Sequence, residues 1–222
     1  MNKITKDKET LDTIKSCVLF EDMSEKELYS ALEFFDARLE EYRKGDFVQS
    51  ILMPFERFGL VLSGTVQVYM DDIDGNNIIM ANVSSGDTFG ESLSLLHAES
   101  PVYIQATSPA KILMMSTANL NSTSQTTQNL NMRYSVMLAR RALAMNDRIQ
   151  VLSKITLREK IVTFLSQYHA RSSSSTFSIP FDRASMAIYL GTDRASLSRE
   201  LSKMKKDGII DFNKNHFLIK KL

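Results

Sequence analysis

Residues 194 to 206 hold a dense set of groups that meet polyanions: Arg194, Ser196, Ser198, Arg199, Lys203, Lys205 and Lys206. Guanidinium and hydroxyl groups can donate to base edges, and ammonium groups to phosphates. Arg199 follows Arg194 by five residues, too far round a helix for both to serve one base. The spacing therefore predicts two separate positions, or a division between base and backbone work. Lys214 adds a further phosphate-seeking cation. Elsewhere such residues are sparse. Cys17 is the single cysteine, and His97, His169 and His216 share no metal-ligand spacing, so no metal site is expected. No nucleophile–base pair or phosphate-binding loop stands out and no catalytic residue is assigned; chemistry around Glu91 and His97 is the remote enzymatic alternative.

The elements around the basic segment follow from apolar spacing. Met186, Ala187 and Leu190 mark the inner face of one helix, and Gly191 permits a tight turn. Leu197 and Leu201 mark the inner face of a second helix, capped by Thr192 or Asp193. Ala187 is small where the two helices would approach, which is helix-turn-helix grammar. Asp207-Gly208 ends the second helix and Ile209-Ile210 opens a hairpin that turns at Asn213-Lys214-Asn215 and returns through His216–Ile219, a wing. Upstream, a helix is expected over residues 156–170, then a serine loop at 172–175 and a strand at 177–181.

The first two-thirds reads differently. Residues 11–39 have helix-like apolar spacing, with Ser24 and Glu27 placed as a capping box. Short β-favouring runs follow at 47–52, 58–62, 65–70, 78–83, 102–106 and 111–115, with Asp74-Gly75 as a hairpin turn, which suggests a closed or rolled β structure. A polar stretch, 116–128, leads into a long helix reaching about residue 152. Leu130, Tyr134, Met137, Leu138, Met145, Ile149 and Leu152 recur there at intervals near 3.5, predicting a seam against a second copy of the helix.

The 222 residues have a net charge of +1, but it is unevenly spread. Residues 1–153 carry 14 basic and 20 acidic side chains, while residues 154–222 carry 13 and 6. An acidic portion joined to a basic one fits a chain in which one part meets a polyanion and the other does something else. The 43% hydrophobic content is that of a globular chain, long enough for two small domains. No stretch approaches the roughly 20 apolar residues that cross a bilayer. Met1 to Glu9 is charged where a signal peptide would be apolar, so no membrane partner and a cytoplasmic location are expected.

As a whole the chain resembles the CRP/FNR family of bacterial transcription regulators. The resemblance rests on three blocks: Tyr42-Arg43-Lys44-Gly45-Asp46-Phe47 with Leu62-Ser63-Gly64-Thr65-Val66, then Ser85-Gly86-Asp87-Thr88-Phe89-Gly90-Glu91, then Ile188-Tyr189-Leu190-Gly191 through Ser198-Arg199-Glu200-Leu201. It implies an α+β architecture: an N-terminal β-roll or jelly-roll sensor domain over 1–128, a long dimerisation helix over 129–153 and a C-terminal winged helix-turn-helix over 154–222. Gly45, Gly64, Gly75, Gly86 and Gly90 would fall at the sharp corners of the roll.

The resemblance also implies an effector pocket containing Gly90, Glu91, Ser92 and Ser100, with Met145 and Asn146 from the long helix. In cyclic-nucleotide-binding members a Gly-Glu pair caps the sugar, and an Arg-Ser or Arg-Thr pair about ten residues on holds the cyclic phosphate. Here Glu99-Ser100 stands at the second place, and no arginine lies between Arg57 and Arg133. A phosphate buried without a cationic partner costs on the order of several kcal/mol. Met145-Asn146 replaces the helix hydroxyl pair that contacts adenine, so cyclic AMP is disfavoured. Cys17 cannot hold a cluster alone and haem would rest on His97, so those cofactors are disfavoured as well. The effector is unknown.

In the family's recognition helix an acidic residue follows the first arginine, whereas Ala195 follows Arg194 here. Carboxylate reading of cytosine is lost at that position, and an alanine methyl against thymine is a reasonable replacement. The expected function is a homodimeric, sequence-specific regulator of a palindromic double-stranded operator, controlled by a small molecule in the roll. The alternative keeps DNA binding but makes the roll a ligand-free dimer platform. RNA polymerase is an optional further partner, because activation needs a polymerase-facing patch and no pattern marks one.

Overall fold

The computed structural model describes residues 7–75, 77–121, 125–172 and 174–220. Residues 1–6 of the charged start, 122–124 of the polar stretch and Ser173 of the serine loop lie outside the described residues. The chain divides into two compact units, Met1–Ala139 and Arg140–Leu222.

In the first unit, α1 (Lys8–Ser16) begins at Asp7, whose carboxylate accepts from the amides of Glu9 and Thr10. Helix α2 (Glu25–Phe34) begins with the Ser24–Glu27 capping box that the sequence marks. The helical texture expected to reach Leu39 ends sooner. Asp36 has φ +42, which breaks the helix, and Arg38–Tyr42 is strand β1. The following strands are β2 (Phe47–Gln49), β3 (Arg57–Ser63), β4 (Thr65–Asp71), β5 (Asn77–Ser84) and β6 (Thr88–Phe89). After α3 (Glu91–Leu96) come β7 (Tyr103–Ala106) and β8 (Ala110–Ser116). They form two four-stranded sheets, β1-β8-β3-β6 and β2-β7-β4-β5, in antiparallel pairing. All five glycines assigned to corners have positive φ.

One apolar core of this unit joins Val61, Val66, Phe89, Ile104 and Ile112. A second joins α1, α2 and β3 to the first half of α4 (Gln125–Leu152). The latter corrects the expected seam. Leu130, Tyr134 and Met137 are buried in that core and Leu138 packs partly against it, with the Tyr134 ring near Phe35 and Phe58 (centroids 6.2 and 5.4 Å apart). Their phase on the helix faces their own chain, so they are not available to a second copy. The exposed apolar residues of α4 are Met132, Val136, Leu143, Met145, Ile149 and Leu152. Cys17 is buried, and burial pushes its thiol pKa up.

The second unit is built on α5 (Leu157–Ala170), β9 (Thr176–Ser178), α6 (Arg183–Leu190), α7 (Arg194–Lys206), β10 (Ile210–Asn213) and β11 (His216–Ile219). Thr156 and Glu159 cap α5 reciprocally. The three strands pair antiparallel in the order β10-β11-β9. Phe164, Met186, Leu190, Leu197, Leu201, Met204 and Phe217 fill the core, together with Val151 from the end of α4. Among the described residues, no helix is long and apolar enough to cross a membrane.

Candidate nucleic-acid interface

Helix α6 ends at Gly191, which has φ +64 and sends its amide back to Ile188, so the chain reverses within two residues. A side chain there would be strained in that conformation and would crowd Leu152 at 3.3 Å. Of the two candidate caps, Asp193 starts α7, its carboxylate accepting the Ser196 amide at 2.8 Å. The Ser196 hydroxyl, and then its amide, hold the Asp193 pKa below the usual carboxylate range. The turn and the cap together fix where α7 begins.

Leu197, Leu201 and Met204 bury one side of α7 completely. The other side presents Arg194, Ala195, Ser198, Arg199, Ser202, Lys203 and Lys206 to solvent. Ser196 is half-buried, and its Oγ accepts from Arg199 Nη2 at 2.9 Å, which orients the guanidinium along the exposed face. Lys214 is exposed at the turn between β10 and β11. Of the nine residues expected to meet DNA, all but the partly shielded Ser196 are exposed on this face or at the wing tip.

Lys205 departs from its expected role as a plain phosphate contact. Its ammonium pairs with Asp211 at 2.5 Å and packs over the Phe212 ring, 5.4 Å from the centroid. It ties the end of α7 to the wing. The Asp211 carboxyl is lowered to about 2 by Lys205, the Phe212 amide and Lys220.

Two further residues escaped the sequence reading. Arg158, on α5, donates to Glu200 at 2.6 Å and to Asp207 at 2.8 Å, bracing α7 from behind. Arg183, on α6, donates to the Lys214 carbonyl at 2.9 Å. Both partners lie more than 30 residues away along the chain, and no local spacing rule joins them.

Of the residues assigned to an effector pocket, Gly90, Glu91, Ser92 and Ser100 belong to the first unit and Met145 and Asn146 to the second. Glu91 is buried and accepts a short hydrogen bond from Thr88 Oγ1, while Ser92 is exposed. Ser100 is buried, with its hydroxyl spent on the Val102 carbonyl at 2.7 Å. Gly90, at φ +78, lies against Phe55, whose ring atoms are 2.0–2.9 Å from where a Cβ would stand. The Phe55 ring thus occupies the space in front of the Gly-Glu pair. Met145 and Asn146 are exposed on α4 in the second unit. The carboxylate of the Gly-Glu pair is buried against Thr88, and no arginine lies between Arg57 and Arg133 in the sequence.

Comparison with known proteins agrees with this layout. Residues 39–127 match the family model for a cyclic nucleotide-binding domain, and residues 159–222 match a Crp-like helix-turn-helix domain. The chain is similar to Electron transport regulator A of Shewanella oneidensis, 23% identical over 183 residues, covering 80% of this chain and 72% of that protein. It is similar to the Cyclic AMP receptor protein of Thermus thermophilus, 23% identical over 197 residues and 89% of both chains. In fold it is similar to CprK complexed with OCPA, with a TM-score of 0.64 at 14% identity over 89% of this chain and 92% of that one. With a cyclic nucleotide-binding-like roll, a long helix and a Crp-like helix-turn-helix following one another along its length, the chain belongs to the CRP/FNR family of transcription regulators.

Proposed function

We propose that the chain acts as a homodimer that reads a palindromic operator through α7 and the wing, under control of a small molecule other than cyclic AMP. The observation that carries the reading is the two-sided α7: three apolar residues hold it in the core while Arg194, Ala195, Ser198 and Arg199 are exposed toward base edges. Two such helices one duplex turn apart, roughly 34 Å, would enter successive major grooves. Selection of bound sequences from random double-stranded DNA tests this. A palindromic consensus is expected, and recovery of unselected sequence would overturn it.

Dimerisation is assigned to the outward face of α4. Met132, Val136, Ala139 and Leu143 are exposed at alternating intervals of four and three, the rhythm of a two-helix seam. This replaces the seam through Leu130, Tyr134 and Met137. Met145, Ile149 and Leu152 are also exposed, but at about 100° per residue they lie on the opposite side of α4 and stand outside this seam.

A ligand-free roll is a second reading that one observation favours, the Phe55 ring packed on Gly90 beside the Thr88–Glu91 pair. The two readings separate on stability. A metabolite extract that raises the unfolding temperature saturably supports a sensor; no shift with any fraction supports a platform.

A further inference from the structure

We propose that Arg183 is a positioning residue that sets the wing, and that the cleft between wing tip and α7 seats one backbone phosphate of the duplex on Lys214 and Arg194. The proposal rests on the duplex-reading function above and adds to it a specific phosphate seat and the residue that builds it.

Arg183 stands in the first turn of α6, where a long cation would be free to reach solvent. Instead its guanidinium lies over two wing rings, 4.9 Å from the Phe212 centroid and 5.3 Å from that of Phe217. Stacked there, it donates Nη2 to the Lys214 carbonyl at 2.9 Å. A planar fork that stacks and donates at once is what arginine offers and lysine does not.

The carbonyl it holds belongs to a strained residue. Lys214 has φ +53, in the left-handed region that a non-glycine side chain occupies only when its surroundings fix it there. The tip is also held on the other side. Ile179 and Asn215 exchange two hydrogen bonds, Ile179 N to Asn215 O at 3.0 Å and Asn215 Nδ2 to Ile179 O at 3.2 Å. With Arg183 on one flank and Ile179 on the other, the direction of the Lys214 side chain is set by the fold.

A cleft of about 590 Å³ opens beside this turn, lined by Asp182, Arg183, Arg194 and Lys214 among others. Its one carboxylate, Asp182, accepts the Ser185 amide at 2.7 Å as the cap of α6 and keeps its negative charge near Arg194, so the cations of the cleft outnumber it. Arg183 spends its guanidinium on the two rings and the Lys214 carbonyl, which leaves Lys214 and Arg194 to meet a ligand in the cleft. Two exposed cations facing one cleft, Lys214 and Arg194 at the start of the recognition helix, suit a phosphodiester.

The test is a double-mutant cycle on the full chain. Binding to a random-sequence duplex is measured from 50 to 200 mM salt for the parent, Lys214→Ala, Arg183→Met and the double variant. Lys214→Ala is expected to reduce the slope of log affinity on log salt by about one, a fourfold change across that range. Arg183→Met should give about the same reduction, and the double variant no more than either single one, because Arg183 acts through Lys214. Arg183→Lys should behave as Arg183→Met, since it restores charge but not the stacked fork. A double variant losing about two, or full recovery with Arg183→Lys, would make Arg183 a direct phosphate contact and overturn the positioning role. An unchanged slope in Arg183→Met would overturn it as well.

If Arg183→Met fails to fold, Phe212→Leu removes the nearer of the two stacking rings with the arginine retained. It should reduce the slope by about one in the parent and leave Lys214→Ala unchanged; additive losses would overturn the proposal. Arg194→Ala should add its own loss to that of Lys214→Ala, and no loss would remove it from the seat. A parent with no salt-dependent affinity for duplex would sink the DNA-reading function itself, which distinguishes that failure from the others.

Discussion

The hydroxyl of Tyr134 donates to the backbone carbonyl of Glu91 at 2.9 Å, joining the long helix to the helix that follows the roll's last corner. Burial pushes the phenol pKa up, so the hydroxyl remains a donor throughout the physiological range. Tyr134→Phe keeps the ring packing and removes this hydrogen bond, at a cost of about 1 kcal/mol. The denaturant midpoint of the first unit should fall accordingly. Sedimentation should show the oligomeric state of the parent, because Tyr134 faces its own core.

Val136→Asp combined with Leu143→Asp places two charges on the exposed face of α4. If that face is the dimer seam, the variant should sediment as a monomer with its unfolding temperature little changed. Specific operator affinity should fall at least a hundredfold, since each half-site then binds alone. A dimer in that variant would move the interface elsewhere.

Arg199→Ala should relax preference at one symmetric base pair in each half-site, with roughly 1–3 kcal/mol of discrimination lost there. Lys206→Ala, in the last turn of α7, should weaken all sequences alike and lower the salt slope by about one. Competition binding with single-base operator variants checks both. Equal loss of specific and nonspecific affinity in Arg199→Ala would make Arg199 a phosphate clamp.

Asp211 supplies a pH test. Its folded pKa of about 2 lies below the usual 3.8, so its stabilising effect is present above about pH 4 and is lost as the pH falls toward 2. Asp211→Asn should therefore be less stable than the parent at pH 5 to 7, with the difference closing near pH 2. Chemical denaturation at several pH values reads this directly. A difference that persists unchanged to pH 2 would mean the carboxylate's charge is not what stabilises the wing.

Much of the second unit could be read from the sequence because each signal there is local. Gly191, the Asp193 cap and the three- and four-residue spacing of Leu197, Leu201 and Met204 specify a turn and two helices without reference to distant residues. The α4 seam was misread for an equally physical cause. That helix is apolar on two faces, one meeting its own core through Leu130, Tyr134 and Met137 and one exposed through Met132, Val136 and Leu143, and periodicity cannot say which face meets which partner. Strand β1 was hidden because Arg38-Leu39-Glu40-Glu41-Tyr42 has three charges and lies at a sheet edge, where no strong apolar alternation is required. The surroundings of Gly90 are not legible in the sequence because its contact with Phe55 joins residues 35 apart.

The separation of duties on α7 bears on how such a regulator could acquire new targets. Leu197, Leu201, Met204, the Asp193 cap and the Arg158 brace secure the helix entirely from its inner side and its ends. Ala195 and Ser198 on the outer side contribute little to that hold. Mutational drift at those two positions can therefore rewrite operator preference at nearly constant stability, so paralogues diverging in target would be expected to share the inner residues and differ at the outer ones. The same property makes the helix a replaceable reading head for building regulators that ignore one another's promoters.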